Sequence, residues 1–203
     1  MAADGPVPRR GSQPRPRKPS LAERRERRAA VEDVAEVLDA AARFLESRPR
    51  STAEVRRKLT GLGYRTTLVD AAVDRLTELR YLDDEAFAVA WVESRDRARP
   101  RGERALRQEL GLKGVDRALV DEVLGERDAA DAEPGGADDA AAERLLRRKL
   151  PAILREPDAR RRRGRAYALL ARSGFGPDTC GSVVRRVLDE AAGTSDDEGL
   201  EPD

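Results

Sequence analysis

The chain has 203 residues, 39% charged, 39% hydrophobic and 3% aromatic, with 40 Lys and Arg against 39 Asp and Glu, one cysteine and no histidine. A single cysteine excludes a disulfide framework within the chain. Without histidine, a Cys/His zinc site lacks its ligands, and a Ser-His-Asp or Cys-His nucleophile lacks its base.

Residues 1–19 hold five prolines among Gly, Arg and Lys, a composition that cannot offset its ordering entropy, so a disordered basic tail is expected there. Ser20 to Glu23 forms a capping box that opens a long leading helix over 21–47. Val31, Val34, Leu38, Ala41 and Leu45 share its inner face, and Pro49 stops it. A second capping box, Ser51 to Glu54, starts a helix with Val55, Leu59 and Leu62 inward, ended by Gly63. Thr67 is expected to cap the next helix, which carries Val69, Ala72, Val73, Leu76 and Leu79. Asp83 caps another over 84–98, with Phe87 and Trp91 assigned to core packing. Asp83-Asp84-Glu85 reads as capping acid at a helix start rather than as a metal site. No segment alternates long enough for a strand, so the chain reads as all-α.

An internal repeat organises these helices. Gly63, Gly114 and Gly174 each follow a leucine by four residues (Leu59, Leu110, Leu170) and precede an apolar residue (Tyr64, Val115, Phe175). Val55, Leu106 and Ala166 stand eight before, Val69, Val120 and Cys180 six after, and Val73, Leu124 and Val184 ten after. The pattern is a helix, a left-handed glycine turn and an amphipathic helix, with Thr67, Asp116 and Asp178 as expected caps. Units fall at 20–82, 83–124 and 138–192. The third unit's leading helix, 138–154, is expected to kink at Pro151. Residues 125–137 are expected to be a flexible acidic linker and 193–203 a disordered acidic tail. Units this small need neighbours to complete their burial, so an elongated, curved array of three tandem three-helix repeats is expected.

Charge is balanced in sum but not in place. Residues 95–107 hold six Arg against two acids, residues 144–165 hold ten Arg and Lys against two acids, and residues 125–143 hold seven acids and one Arg. The candidate partner-binding residues are Arg95, Arg97, Arg99, Arg101, Arg104 and Arg107 in the second unit. In the third they are Arg147, Arg148, Arg160, Arg161, Arg162 and Arg163. Each guanidinium can take a carboxylate or phosphate bidentately. No run of 18 apolar residues offers a membrane span, and Met1 to Lys18 lacks the apolar stretch of a secretory signal. Free Cys180 agrees with a reducing compartment, so a cytoplasmic protein is expected. No nucleotide-binding glycine loop is present, and no cofactor, metal site or small-molecule substrate is expected.

Tyr81-Leu82-Asp83-Asp84-Glu85-Ala86-Phe87-Ala88 followed by Trp91-Val92-Glu93-Ser94-Arg95 resembles the most distinctive stretch of the RecX family, regulators of the RecA recombinase. Pro100-Arg101-Gly102, Leu106-Arg107-Gln108-Glu109-Leu110 and Lys113-Gly114 resemble its continuation. Arg48-Pro49-Arg50-Ser51, Glu54-Val55, Leu59 and Gly63-Tyr64 resemble its first repeat, and Arg172-Ser173-Gly174-Phe175 the end of its third. The similarity spans about residues 35–190; the Pro/Arg-rich N-terminus and the 125–137 insertion fall outside the common pattern. The resemblance implies three tandem three-helix repeats. It implies a monomeric, non-enzymatic protein that binds RecA filaments, with single-stranded DNA contacted directly or through the filament. Such a protein restrains strand exchange, ATP turnover and coprotease activity in recombination, DNA repair and the SOS response. From the residues alone, a helix-turn-helix-like DNA-binding module and a repeat scaffold with another partner stay open.

Overall fold

The computed structural model describes Arg17, residues 19–130 and residues 136–197. Most of the expected N-terminal tail, and residues 198–203 of the acidic tail, lie outside the described residues. Among the described residues the chain forms ten helices and no strand. They are α1 Leu21–Ala29, α2 Val34–Leu45, α3 Thr52–Leu62, α4 Thr66–Glu78, α5 Asp84–Ala98, α6 Glu103–Lys113, α7 Arg117–Ala129, α8 Gly136–Leu154, α9 Ala159–Arg172 and α10 Pro177–Asp197.

Helices α2–α4, α5–α7 and α8–α10 make three units, each closed around its own apolar core. Val37, Val55, Leu59, Val69 and Val73 fill the first, and Phe87, Leu106, Leu110, Val120 and Leu124 the second. Leu146, Ala166, Leu170, Phe175, Cys180 and Val184 fill the third. Every inward position of the glycine-referenced repeat is buried apart from Tyr64, which is half-buried. Three modest cores of Leu, Val and Ala explain how so few aromatics suffice.

The turn chemistry is the same in all three. Gly63, Gly114 and Gly174 take φ of +104°, +81° and +91°. The next residue's N–H returns to the leucine carbonyl: Tyr64 to Leu59 at 3.4 Å, Val115 to Leu110 at 3.1 Å, Phe175 to Leu170 at 3.3 Å. This is the double closure of a helix C-terminus that a left-handed residue permits, and it aims the following apolar side chain back at the last turn.

The turns are also where units join. The carbonyl just before each glycine takes a bond from the preceding element. Ser51 Oγ donates to Lys113 O at 2.6 Å, and the Gly102 N–H donates to Ser173 O at 3.1 Å. At the open end of the array, Arg28 of α1 donates to Leu62 O at 3.3 Å, and a Cβ on Gly63 would sit 3.1 Å from Arg25 Cα. Helix α1 therefore occupies, on the first unit, the place a preceding unit would take. Each junction carries a second device. The carboxylate of Asp84 accepts the Thr52 N–H at 2.8 Å, and that of Asp138 accepts the Glu103 N–H at 3.0 Å. The leading helix of one unit thus caps the second helix of the unit before it.

Several expectations are corrected. The leading helix over 21–47 is two helices, because Asp33 caps α2 by accepting the Ala35 N–H at 2.9 Å and α1 folds back onto the Gly63 turn. Thr67 lies inside α4, whose cap position is Arg65 with no side-chain bond. Asp178 lies in the first turn of α10, which starts at Pro177; Asp116 does cap α7. Of the flexible linker expected over 125–137 only the ends are described, and these are mostly helical. Residues to Ala129 continue α7, α8 begins at Gly136, and Asp128 Oδ1 accepts the Ala137 N–H at 3.1 Å. Residues 131–135 lie outside the described residues. Pro151 sits on an exposed side of α8, which runs on to Leu154. Helix α10 extends to Asp197, into the segment expected to be a disordered tail, since no proline follows Pro177 until position 202.

Candidate functional site

The second unit begins at Asp83, whose carboxylate accepts the Ala86 N–H at 3.0 Å, while Asp84 is used on Thr52. Among the described residues, no group of three or more acid or cysteine side chains is placed to hold a metal ion. Cys180 is buried; its thiol faces the Phe175 carbonyl at 3.7 Å, and burial, helped by nearby Asp138, pushes its pKa up. That environment suits packing rather than thiolate chemistry.

Helix α5 then brings Phe87, buried, and Trp91, half-buried, onto one face, their ring centroids 6.0 Å apart. Trp91 Nε1 donates to Glu109 Oε2 at 2.9 Å. The guanidinium of Arg95 and the ammonium of Lys113 lie 4.4 and 4.9 Å from the indole centroid. Arg95 also bonds Glu109 at 2.6 Å, and Lys113 bonds Glu54 of the first unit at 2.9 Å. Trp91 is thus the centre of a polar seam between the first two units.

Glu54 closes that seam with side-chain exposure of 13% and a further bond from Arg48 at 3.1 Å. Burial works to raise its pKa, but the bonds from Lys113, Arg48 and the Ser51 N–H outweigh it and hold the carboxyl below the usual range. A depressed folded value means stability present above the unfolded value of about 4.3 and lost as pH falls through the folded one. Glu54→Gln is expected to lose stability at pH 7 and to approach the parent chain as pH drops below about 4. Urea unfolding of both chains across that range checks this; an equal gap at every pH would contradict it.

The seam between the second and third units is built on Arg127, a residue the charge count passed over. It is the one Arg in the acidic 125–143 segment, and its side chain is only 10% exposed. It bonds Asp96 through two nitrogens at 2.9 and 3.0 Å, Asp138 at 2.8 Å and the Ala137 carbonyl at 3.4 Å. Burial works against its charge, but Asp96 and Asp138 outweigh it and raise the guanidinium pKa. A lone cation among seven acids is the sequence signal that marks it.

The twelve candidate arginines divide. Arg95 and Arg101 face Glu109, Arg107 pairs with Glu103 and Asp121, and Arg147 with Glu143 and Glu190. Arg148 bonds the Ala98 carbonyl at 3.2 Å and so ties α8 to the end of α5. Arg162 bonds the Pro157 carbonyl, Arg163 lies 3.7 Å from Asp189, and Arg97 pairs along its own helix with Glu93. Arg99, Arg104, Arg160 and Arg161 are exposed and have no side-chain partner among the described residues. Two of these lie on the second unit and two at the start of α9. They are the groups whose charge is not already spent within the fold.

Residues 38–76 match the first three-helix domain of RecX, and residues 83–124 the second. The chain is 38% identical over 151 residues to the regulatory protein RecX of Mycolicibacterium vanbaalenii, covering 72% of this chain and 79% of that one. It is 39% identical over 143 residues to the regulatory protein RecX of Mycobacterium ulcerans, covering 70% and 79%. A crystal structure of RecX from Lactobacillus salivarius superposes with a TM-score of 0.64 at 18% identity, covering 75% of this chain and 95% of that one. A second, of a regulatory protein RecX, gives a TM-score of 0.61 at 18% identity, covering 80% and 72%. The helical units, their glycine turns and these likenesses agree: the chain belongs to the RecX family of regulatory proteins.

Proposed function

We propose that this chain is a negative modulator of the RecA recombinase that binds recombinase–DNA filaments in the cytoplasm. It restrains strand exchange, ATP turnover and coprotease activity in recombination, DNA repair and the SOS response, by binding rather than by catalysis. The observation that carries this reading, beside membership of the family, is the placement of unpaired arginines on two successive units. Arg99 and Arg104 belong to the second, Arg160 and Arg161 to the third. A tandem array joined by fixed seams offers such charges at intervals, which suits a partner whose own surface repeats. Contacts that are weak singly gain through effective concentration once the first has formed.

The test is sedimentation of recombinase filaments formed on single-stranded DNA with ATP, in the presence of this protein, together with the rate of ATP turnover. The protein is expected in the pellet only when filaments are present, and turnover is expected to fall as it is added. Protein left wholly in the supernatant, with turnover unchanged at a stoichiometric amount, would remove the reading.

A further inference from the structure

In each of the first two units an aromatic ring of the leading helix carries two cations. In the second unit Arg95 and Lys113 lie 4.4 and 4.9 Å from the Trp91 ring centroid. Each of them holds a carboxylate: Arg95 takes Glu109 at 2.6 Å, and Lys113 takes Glu54 at 2.9 Å. In the first unit the Arg50 guanidinium and the Lys58 ammonium lie 4.2 and 5.5 Å from the Phe44 ring centroid. Neither has a carboxylate partner among the described residues. The second unit's assembly is closed by two acids, and the first unit's by none.

The repeat register locates the difference. Thirteen residues before the turn glycine stand Arg50 in the first unit and Arg101 in the second; five before it stand Lys58 and Glu109. Arg101 lies 3.7 Å from Glu109, so the second unit sets an acid against this arginine where the first sets a cation. The acids of the surrounding elements do not compensate. Glu54 of α3 is held by Arg48 and Lys113, and Asp39 of α2 lies 3.8 Å from Arg43. Glu36 and Glu46 are exposed and pair with neither cation. Each cation is attracted by the ring, but the two repel one another. Arg50 is half-buried, and its side chain makes one hydrogen bond among the described residues, to Ser47 Oγ at 3.0 Å. Its Nε is buried with no acceptor. Lys58 is exposed.

We propose that this face of the first unit, where Phe44 of α2, Lys58 of α3 and Arg50 between them meet, docks an acidic segment of a partner protein. Its carboxylates take Arg50 and Lys58 as Glu109 and Glu54 take Arg95 and Lys113. Carboxylate is the ligand because this same assembly, elsewhere in the chain, is closed by carboxylates. A nucleic-acid strand fits less well, since Arg50 already stands over the Phe44 ring and leaves that face no room for a base. The inference rests on the modulator reading above, for which it names the chemistry of one partner surface, and it is tested without recombinase.

Phe44, Phe87 and Phe175 are the chain's three phenylalanines, and the last two are buried in the cores of the other units. The full chain made with fluorophenylalanine therefore carries one fluorine probe at the proposed site and two controls, the first assigned by its loss in Phe44→Leu. Titration with decaglutamate at fixed low salt is expected to move the Phe44 fluorine resonance and leave the other two in place. Arg50→Gln and Lys58→Glu are each expected to weaken the peptide about tenfold or more, the loss of one charge-assisted contact. Lys58→Glu sets a carboxylate where Glu109 stands, so it is also expected to raise the urea midpoint while it abolishes docking, a pairing that a purely structural lysine would not give. A Phe44 resonance that decaglutamate leaves unmoved, or undiminished peptide binding by the folded Lys58→Glu chain, would overturn the proposal. So would a Phe44 resonance that responds to oligothymidylate at lower concentration than to decaglutamate, since the ligand would then be phosphate. A chain that sediments with filaments but gives no peptide response would overturn this proposal and leave the modulator reading intact. The expected peptide response in a chain that ignores filaments would overturn that reading and leave this one.

Discussion

Arg127→Ala is expected to lower stability by about 3–5 kcal/mol and to uncouple the third unit from the second. The size follows from what is left behind. Asp138, with its side chain 20% exposed, loses its guanidinium partner, Asp96, 22% exposed, keeps only Arg144 at 4.0 Å, and Ala137 O loses a donor. Removing one member of a largely buried ion pair strands the other's charge, which costs far more than the intact pair contributes. Asp138 has a second duty on the Glu103 N–H, so the cap of α6 loosens as well. Calorimetry should show the transition move down and divide in two. Arg127→Lys keeps the charge but not the two-nitrogen bond to Asp96, so it should recover part of the loss. A chain that melts as one transition at its original temperature would show that the seam holds nothing together.

Gly102→Ala is expected to destabilise the same seam by about 1–3 kcal/mol through a different mechanism. Gly102 has an ordinary φ of −73°, so the substitution costs nothing in backbone conformation. A Cβ there would collide with the backbone of Gly174 and Phe175, and backbone cannot turn aside as a side chain does. The Gly102 N–H to Ser173 carbonyl bond would lengthen with the separation. Gly111→Ala makes the control. Gly111 lies inside α6 with nothing near its would-be Cβ, so alanine should stabilise by about 0.5–1 kcal/mol. Urea unfolding of the two variants should therefore move in opposite directions; a shift of the same sign in both would contradict the close-approach account.

What could be read from the chain follows the range of each interaction. The glycine turns depend on a left-handed residue and the apolar residue after it, so Gly63, Gly114 and Gly174 set the register without help from distant sequence. The capping boxes at Ser20 and Ser51 are equally local and form as expected. The break after α1 is only partly local. Asp33 can cap α2 locally, but what folds α1 back is the docking of Arg25 and Arg28 on the distant Gly63 turn. The acidic segment looked like a linker because its one arginine finds Asp96 31 residues away. The candidate surface fared in the same manner. Arginine density was visible, but which arginines stay available depends on acids such as Glu109, 14 residues from Arg95, and Glu190, 43 from Arg147.

The most direct test of the modulator account is strand exchange by the recombinase with the parent chain and with a variant carrying Arg99→Glu, Arg104→Glu, Arg160→Glu and Arg161→Glu. These four side chains hold no partner among the described residues, so their reversal should leave the fold and its melting temperature in place. The account predicts that the parent chain suppresses strand exchange at stoichiometric amounts and that the folded variant does not. Equal suppression by both, or none by the parent chain, would contradict it.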